Sequence, residues 1–285
     1  MRAVVSVLID VGLITLILAL AAFGLAIIYG VVGVINMGHG AMLTLGAYLT
    51  WWATTSGIPF IVAALLGAIG VALVGLLFEH AIIRHFYKRP FDTLLLTWAF
   101  FLVTTELIKI AFGSDIKGVP NPIPGAIAIG GFDIPAYRGL IAIFALVLIG
   151  GTALVFYRTT LGIRIRALIQ NEEVAGLLGL DIARTYKIVF FAGAFMAGLA
   201  GALISPMLSI DPYIGNIYLM RSFFVVLIGG MGQLLGGTLI GSFLTGGSET
   251  LFALVFSQAV AQTAVFVIAI VILRFRPAGI LRPGQ

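Results

Sequence analysis

Gly162-Ile-Arg-Ile-Arg-Ala-Leu-Ile-Gln-Asn-Glu-Glu-Val-Ala-Gly-Leu-Leu-Gly-Leu-Asp181 is a charged, glycine-punctuated stretch set between two long apolar runs, Leu140 to Tyr157 and Tyr186 to Leu208. A segment this polar cannot share the hydrocarbon environment of its flanks, where charged side chains are costly. The chain must therefore leave an apolar layer at this point and re-enter it. Lipid offers no partner to backbone N–H and C=O groups, so each flanking run satisfies them internally as a helix. The stretch itself is built to lie outside a membrane and to be gripped by something there.

Working outward, the same division runs through the whole chain. Hydrophobic residues make up 61% of the 285 and charged residues 9%, with a mean hydropathy of +1.18. That balance lies outside ordinary soluble domains. At roughly 20 residues per crossing, the length allows about eight crossings and almost no soluble domain. Apolar runs occur at Val7 to Val32, Met37 to Thr54, Phe60 to Ile83, Thr93 to Phe112, Leu140 to Tyr157, Tyr186 to Leu208, Tyr218 to Gly246 and Leu251 to Leu273. The first has only Arg2 before it and stays apolar past the small-residue triplet Ala19-Leu20-Ala21, so it reads as a membrane helix and not a cleaved signal peptide. The expected fold class is all-α: a polytopic membrane helical bundle of about eight hydrophobic segments with broken or re-entrant helices. It forms a single transmembrane domain over residues 1–285, with an extramembrane insert at about 158–184.

Eleven of the 16 basic residues fall in three groups: Arg84, Lys88 and Arg89; Arg158, Arg164, Arg166, Arg184 and Lys187; Arg274, Arg276 and Arg282. By the positive-inside rule all three are cytoplasmic. The loop from Gly113 to Arg138, with four prolines, is then outside and extended. The net charge of +5 marks orientation and not nucleic-acid binding. The chain has no cysteine and three scattered histidines, His39, His80 and His85, which leaves no metal-ligand pattern; no cofactor is expected. If the loop Ser209 to Asn216 is outside and the C-terminus inside, the residues from Tyr218 to Glu249 cross an even number of times. That parity predicts a broken or re-entrant hairpin. Whether Met37 to Thr54 crosses fully or turns back stays open.

Two runs are interrupted. Gly30-Val-Val-Gly-Val-Ile-Asn-Met-Gly-His-Gly40 carries Asn36, Gly38, His39 and Gly40, and Ile228-Gly-Gly-Met-Gly-Gln-Leu-Leu-Gly-Gly237 carries Gly230, Gly232 and Gln233. Breaks at membrane depth are tolerated where they face protein or a watery cavity, and paired breaks in two halves point to a substrate path. The competing reading is close helix packing on small residues, with His39 held by a carbonyl at the helix break. Glu79, Glu106 and Glu249 lie near segment ends, where carboxylates reach water. In the insert, Asn171 reads as an N-cap, Glu172 and Glu173 as first-turn acids and Gly179 as the closing glycine. The helix between them, Glu172 to Leu178, carries Val174, Ala175, Leu177 and Leu178. Asp181 caps the next transmembrane helix. Two acids at its start suit a protein partner better than anionic lipid.

These residues resemble a family: the permease subunits of ATP-binding-cassette importers for branched-chain amino acids, of the LivH type. Three stretches carry the resemblance. They are Gly30 to Tyr48, with Ile-Asn-Met-Gly-His-Gly; Arg164 to Gly179, with Arg-Ala-Leu-Ile-Gln-Asn-Glu-Glu; and Phe223 to Gly237, with Val-Val-Leu-Ile-Gly-Gly-Met-Gly. The closing Arg274-Phe-Arg-Pro-Ala-Gly-Ile280 is also similar. The resemblance implies an inner-membrane permease that works with a second, LivM-like permease, cytoplasmic ATPases and an extracytoplasmic solute-binding protein. It makes the helix around Asn171 to Gly179 an ATPase-coupling element. The chain itself has no Gly-x-x-x-x-Gly-Lys-Ser/Thr phosphate loop, so ATP would be hydrolysed on another subunit. Asp211 to Asn216 and Gly232-Gln233 are also similar to the branch of the family assigned to urea and short amides. Two other classes compete. A stand-alone secondary transporter or channel would need no ATPase, and a membrane enzyme would need a nucleophile and base or metal ligands at spacing that the sequence lacks.

Overall fold

The computed structural model describes residues 2–129, 132–230 and 232–281. Met231 of the second interruption and Arg282 of the third basic group fall outside them. The described helices are α1 (Arg2–Val32), α2 (His39–Thr55), α3 (Phe60–Ala81), α4 (Pro90–Phe112), α5 (Ala136–Arg158), α6 (Thr160–Gln170), α7 (Glu172–Leu177), α8 (Ile182–Ile204), α9 (Ile214–Gly229), α10 (Gly236–Ser242), α11 (Ser248–Phe252) and α12 (Gln258–Phe275). Six spans, carried by α1, α3, α4, α5, α8 and α12, are long and apolar enough to cross a membrane. The protein is thus an all-α, polytopic membrane bundle. The extended proline-rich loop holds a short antiparallel hairpin, β1 (Ala126–Ile129) with β2 (Phe132–Pro135), pairing Ile127 with Ile134 and Ala128 with Asp133.

The bundle is built around α8, which packs on α1, α2 and α3. Its inner face is a run of small residues, Gly193, Ala194, Ala197, Gly198 and Gly201, all buried. Without a hydrophobic force between helices in lipid, close backbone approach supplies the packing. A Cβ at Gly46 of α2 would run into the carbonyl of Gly198, so the two helices cross backbone to backbone there.

One end of the bundle gathers the basic groups. Ile83, Leu168, Ala175, Tyr186 and Leu234 share a buried cluster with Val31 and Val34 at the end of α1. At the other end, Tyr48 of α2 packs with Ile108, Val119 and Ile210, and Lys117 pairs its backbone with Ile210. α1 runs to the basic end. An extended segment, 33–38, then turns back, and α2 begins beside Ala21 in the middle of α1. Segment and helix together reach the opposite end, so the Met37 to Thr54 run is the helical part of one broken passage.

The run from Tyr218 to Gly246 is split between two elements. α9 leads to the basic end, and α10 continues through a π-turn, Phe243–Gly247, into α11. Gly229 lies against Gly237 while Val225 lies against Gly241, an order that makes the two arms antiparallel. With 16 residues in α9, that arm is about 24 Å long at 1.5 Å per residue, shorter than a full hydrocarbon core. A helical hairpin of short arms therefore meets the even parity, and its turn holds Gly230 and Gly232.

Candidate functional site

The first interruption is a packed joint. Gly33, at φ +73°, ends α1, and the freed backbone is met by α4. The Thr97 hydroxyl accepts from the Met37 N–H at 3.1 Å and lies 3.2 Å from the Ile35 carbonyl. Gly38 caps α2, and Gly40 backs onto Gly215 of α9. His39 is fully buried and its Nε2 donates to the Ala21 carbonyl at 2.8 Å. That carbonyl belongs to the interior of α1, so His39 clamps the start of α2 to the middle of α1 and not to a helix-break carbonyl. Asn36 is also buried, with its amide nitrogen 3.9 Å from Met42 Sδ. Asn36 Oδ1 and His39 Nδ1 have no hydrogen-bond partner among the described residues.

The second interruption lies at the basic end. Gly230, at φ +107°, and Gly232, at φ +78°, turn the chain between α9 and α10. The C-terminal tail covers them: the Ile280 N–H donates to the Ile228 carbonyl at 2.8 Å and the Leu281 N–H to the Gly229 carbonyl at 3.4 Å. These are two of the carbonyls that the end of α9 leaves unpaired. Gly232 faces Ile169 of α6. Gln233 and Gly230 line a void of about 10 Å³ with Gly30, room for about one water. The two interruptions meet there, at Gly30, and not at His39.

The insert folds into two helices. α7 follows the expected capping: Asn171 Oδ1 accepts from the Val174 N–H at 3.0 Å, and Gly179 takes φ +84° after the last turn. Glu172 and Glu173 occupy its first turn. Asp181 Oδ1 accepts from the Arg184 N–H at 2.9 Å and starts α8. Ala175 is buried, whereas Leu177 and Leu178 are 88% and 77% exposed. The sequence reading missed α6, though its signals were present: Thr159 as N-cap and Leu161, Ile165 and Leu168 at helical spacing. Arg166 secures α6 by donating to the Phe156 carbonyl and lying over the Phe156 ring at 5.4 Å.

Two carboxylates are buried where the sequence placed them near water. Glu79 is 1% exposed, and its Oε1 accepts from the Tyr87 hydroxyl at 2.5 Å. Burial and that hydrogen bond hold the Tyr87 phenol well above its usual range. Tyr87 meets Tyr186 edge to face at 5.0 Å, and Tyr186 in turn lies within electrostatic reach of Glu172. A line of contacts thus joins α7 to the buried end of α3. Glu249 is also buried, and Arg221 Nη2 donates to it at 2.7 Å. Glu106 is exposed and paired with Lys109 at 2.5 Å. Thr97, Tyr87 and Arg221 are the polar residues that sequence reading did not single out; Arg221 alone carried a plain signal, as a base inside an apolar run.

A bundle of broken crossings around a small-residue core, with a structured polar insert at its basic end, defines a multi-pass membrane permease. The chain belongs to the family described as branched-chain amino acid transport system / permease component, whose model matches residues 7–275. It is 28% identical to the high-affinity branched-chain amino acid transport system permease protein BraD of Pseudomonas aeruginosa, over 92% of this chain and 91% of that one. It is 26% identical to the LivH permease of Salmonella typhimurium, over 92% and 90%, and 26% identical to the probable LivH of Methanocaldococcus jannaschii, over 85% and 79%. No solved structure matches the chain.

Proposed function

We propose that this chain is the membrane-spanning subunit of an ATP-driven importer of branched-chain amino acids, working beside a second, LivM-like permease, with α7 as the element that cytoplasmic ATPases move. An extracytoplasmic solute-binding protein would deliver solute to the opposite end. The observation that carries this reading is the exposed pair Leu177 and Leu178 on a helix otherwise fixed at both ends. Burying a leucine side chain is worth about 2 kcal/mol, so an apolar tip on a capped, rigid helix is made to be covered by protein. Displacement of α7 would pass through Glu172, Tyr186 and Tyr87 to Glu79, and through α6 to the turn at Gly230, Gly232 and Gln233. The joint at Asn36, Gly38, His39 and Gly40, where helix gives way to extended chain, is where α2 would shift on α1 as the path changes sides.

The experiment is purification from the native membrane in mild detergent, followed by uptake in liposomes. Co-purification of an ATPase and a second permease supports the reading. A self-sufficient oligomer that moves leucine without ATP would sink it. In the assembled complex, Leu177→Ser with Leu178→Ser should leave membrane insertion unchanged and uncouple leucine uptake from ATP hydrolysis; normal uptake by that variant would remove α7 from the coupling role.

A further inference from the structure

At the end away from the basic groups, α1, the start of α5, the α8–α9 connection, α9, α11 and the start of α12 line a partly open cavity of about 270 Å³. Such a space is smaller than the sites that hold drug-sized ligands and suits a single small solute. Its walls differ in kind. One is aliphatic, formed by Ile14, Ile17, Leu18 and Met207; the other carries Arg138, Tyr218, Arg221, Glu249 and Gln258.

The charges on the polar wall do not balance. Glu249 Oε1 accepts from Arg221 Nη2 and from Gln258 Nε2, both at 2.7 Å. Arg221 Nε is buried with no hydrogen-bond partner. Arg138 is exposed at the cavity and makes no ion pair among the described residues. Two guanidinium groups thus face one carboxylate, next to an aliphatic surface that weakens screening. An uncompensated charge there favours a bound carboxylate, and guanidinium is the side chain best shaped to hold one.

We infer that this cavity is the entry subsite for a zwitterionic α-amino acid with an aliphatic side chain. Arg138 and Arg221 take its carboxylate, Glu249 faces its ammonium, and the Ile14, Ile17, Leu18 and Met207 wall takes its side chain. This rests on the importer reading above and narrows it. Urea or a short amide has neither a charge to answer the second guanidinium nor an apolar body to fill the aliphatic wall.

The test uses the complex that co-purifies with the chain, in liposomes, with leucine as the probe. Arg138→Gln removes one guanidinium without breaking a buried pair. The leucine concentration that half-saturates uptake should rise about tenfold, as expected for one charge-assisted contact. Complex yield should stay at the wild-type value, and Arg138→Lys should recover most of the uptake. Wild-type leucine uptake by Arg138→Gln overturns the inference whatever Arg221→Lys or Glu249→Gln does, because a defect in those alone would reflect the lost buried ion pair. A wild-type complex that takes up urea or acetamide and not leucine overturns the solute assignment itself, which separates failure of the importer reading from failure of the subsite.

Discussion

At the scale of the residue, the structure turns on single polar groups that close the backbone of a broken helix. Thr97 is fully buried in α4; its hydroxyl accepts from the Met37 N–H and has the Ile35 carbonyl at 3.2 Å and the Leu94 carbonyl at 3.0 Å sharing its one proton. In an apolar surrounding those groups have no water to fall back on. Thr97→Val keeps the shape and removes the hydroxyl, leaving the Met37 N–H unpaired. The expected cost is about 1–3 kcal/mol, read as a lower thermal midpoint of the purified protein, with Thr97→Ser restoring most of it. An unchanged midpoint in Thr97→Val would show that water enters the joint. The sequence made the break legible through Gly33, Asn36 and Gly38. It could not show which helix repairs it, because a threonine in a membrane helix commonly bonds its own preceding turn, as Thr105 does to Phe101 and as Thr97 itself reaches Leu94.

At the scale of the element, α7 was the most legible part of the chain. Asn171, the two acids after it and Gly179 each do locally what their chemistry dictates, and the helix they delimit is the one observed, one residue shorter than expected. A helix of six residues is not stable alone, so its cap and the buried Ala175 hold it. Asn171→Ala should cost about 1 kcal/mol of local stability. Hydrogen exchange checks this: the amides from Val174 to Leu177 should exchange several-fold faster, while those of α8 stay as they are. Equal exchange in the variant would mean that Ala175 alone anchors the helix. The carboxylates were less legible. Position near the end of an apolar run suggests water, yet Glu79 and Glu249 are buried, because Tyr87 and Arg221 come to them from elsewhere in the chain.

At the scale of the whole molecule, the C-terminal tail closes the hairpin turn of α9 and α10. Removing everything after Phe275 would unpair the Ile228 and Gly229 carbonyls and uncover Gly230. At about 1–3 kcal/mol for each buried group left unsatisfied, the shortened chain should insert but show a lower thermal midpoint and faster proteolysis at residues 230–235; equal protease resistance would count against this role for the tail. The sequence by itself determined the all-α membrane class, the even passage of the Tyr218 to Glu249 stretch, the three basic groups and the capped insert. Each follows from local physics: apolar length, charge placement and backbone capping are properties of neighbours along the chain. Only the tertiary structure decided that 33–38 and α2 share one passage, that the second glycine break is a turn under the C-terminal tail, and that Arg138, Arg221 and Glu249 face one cavity. Those outcomes depend on which helices approach closely enough for backbone to meet backbone, and that is set by packing between segments as far apart in sequence as Val11 and Gly247.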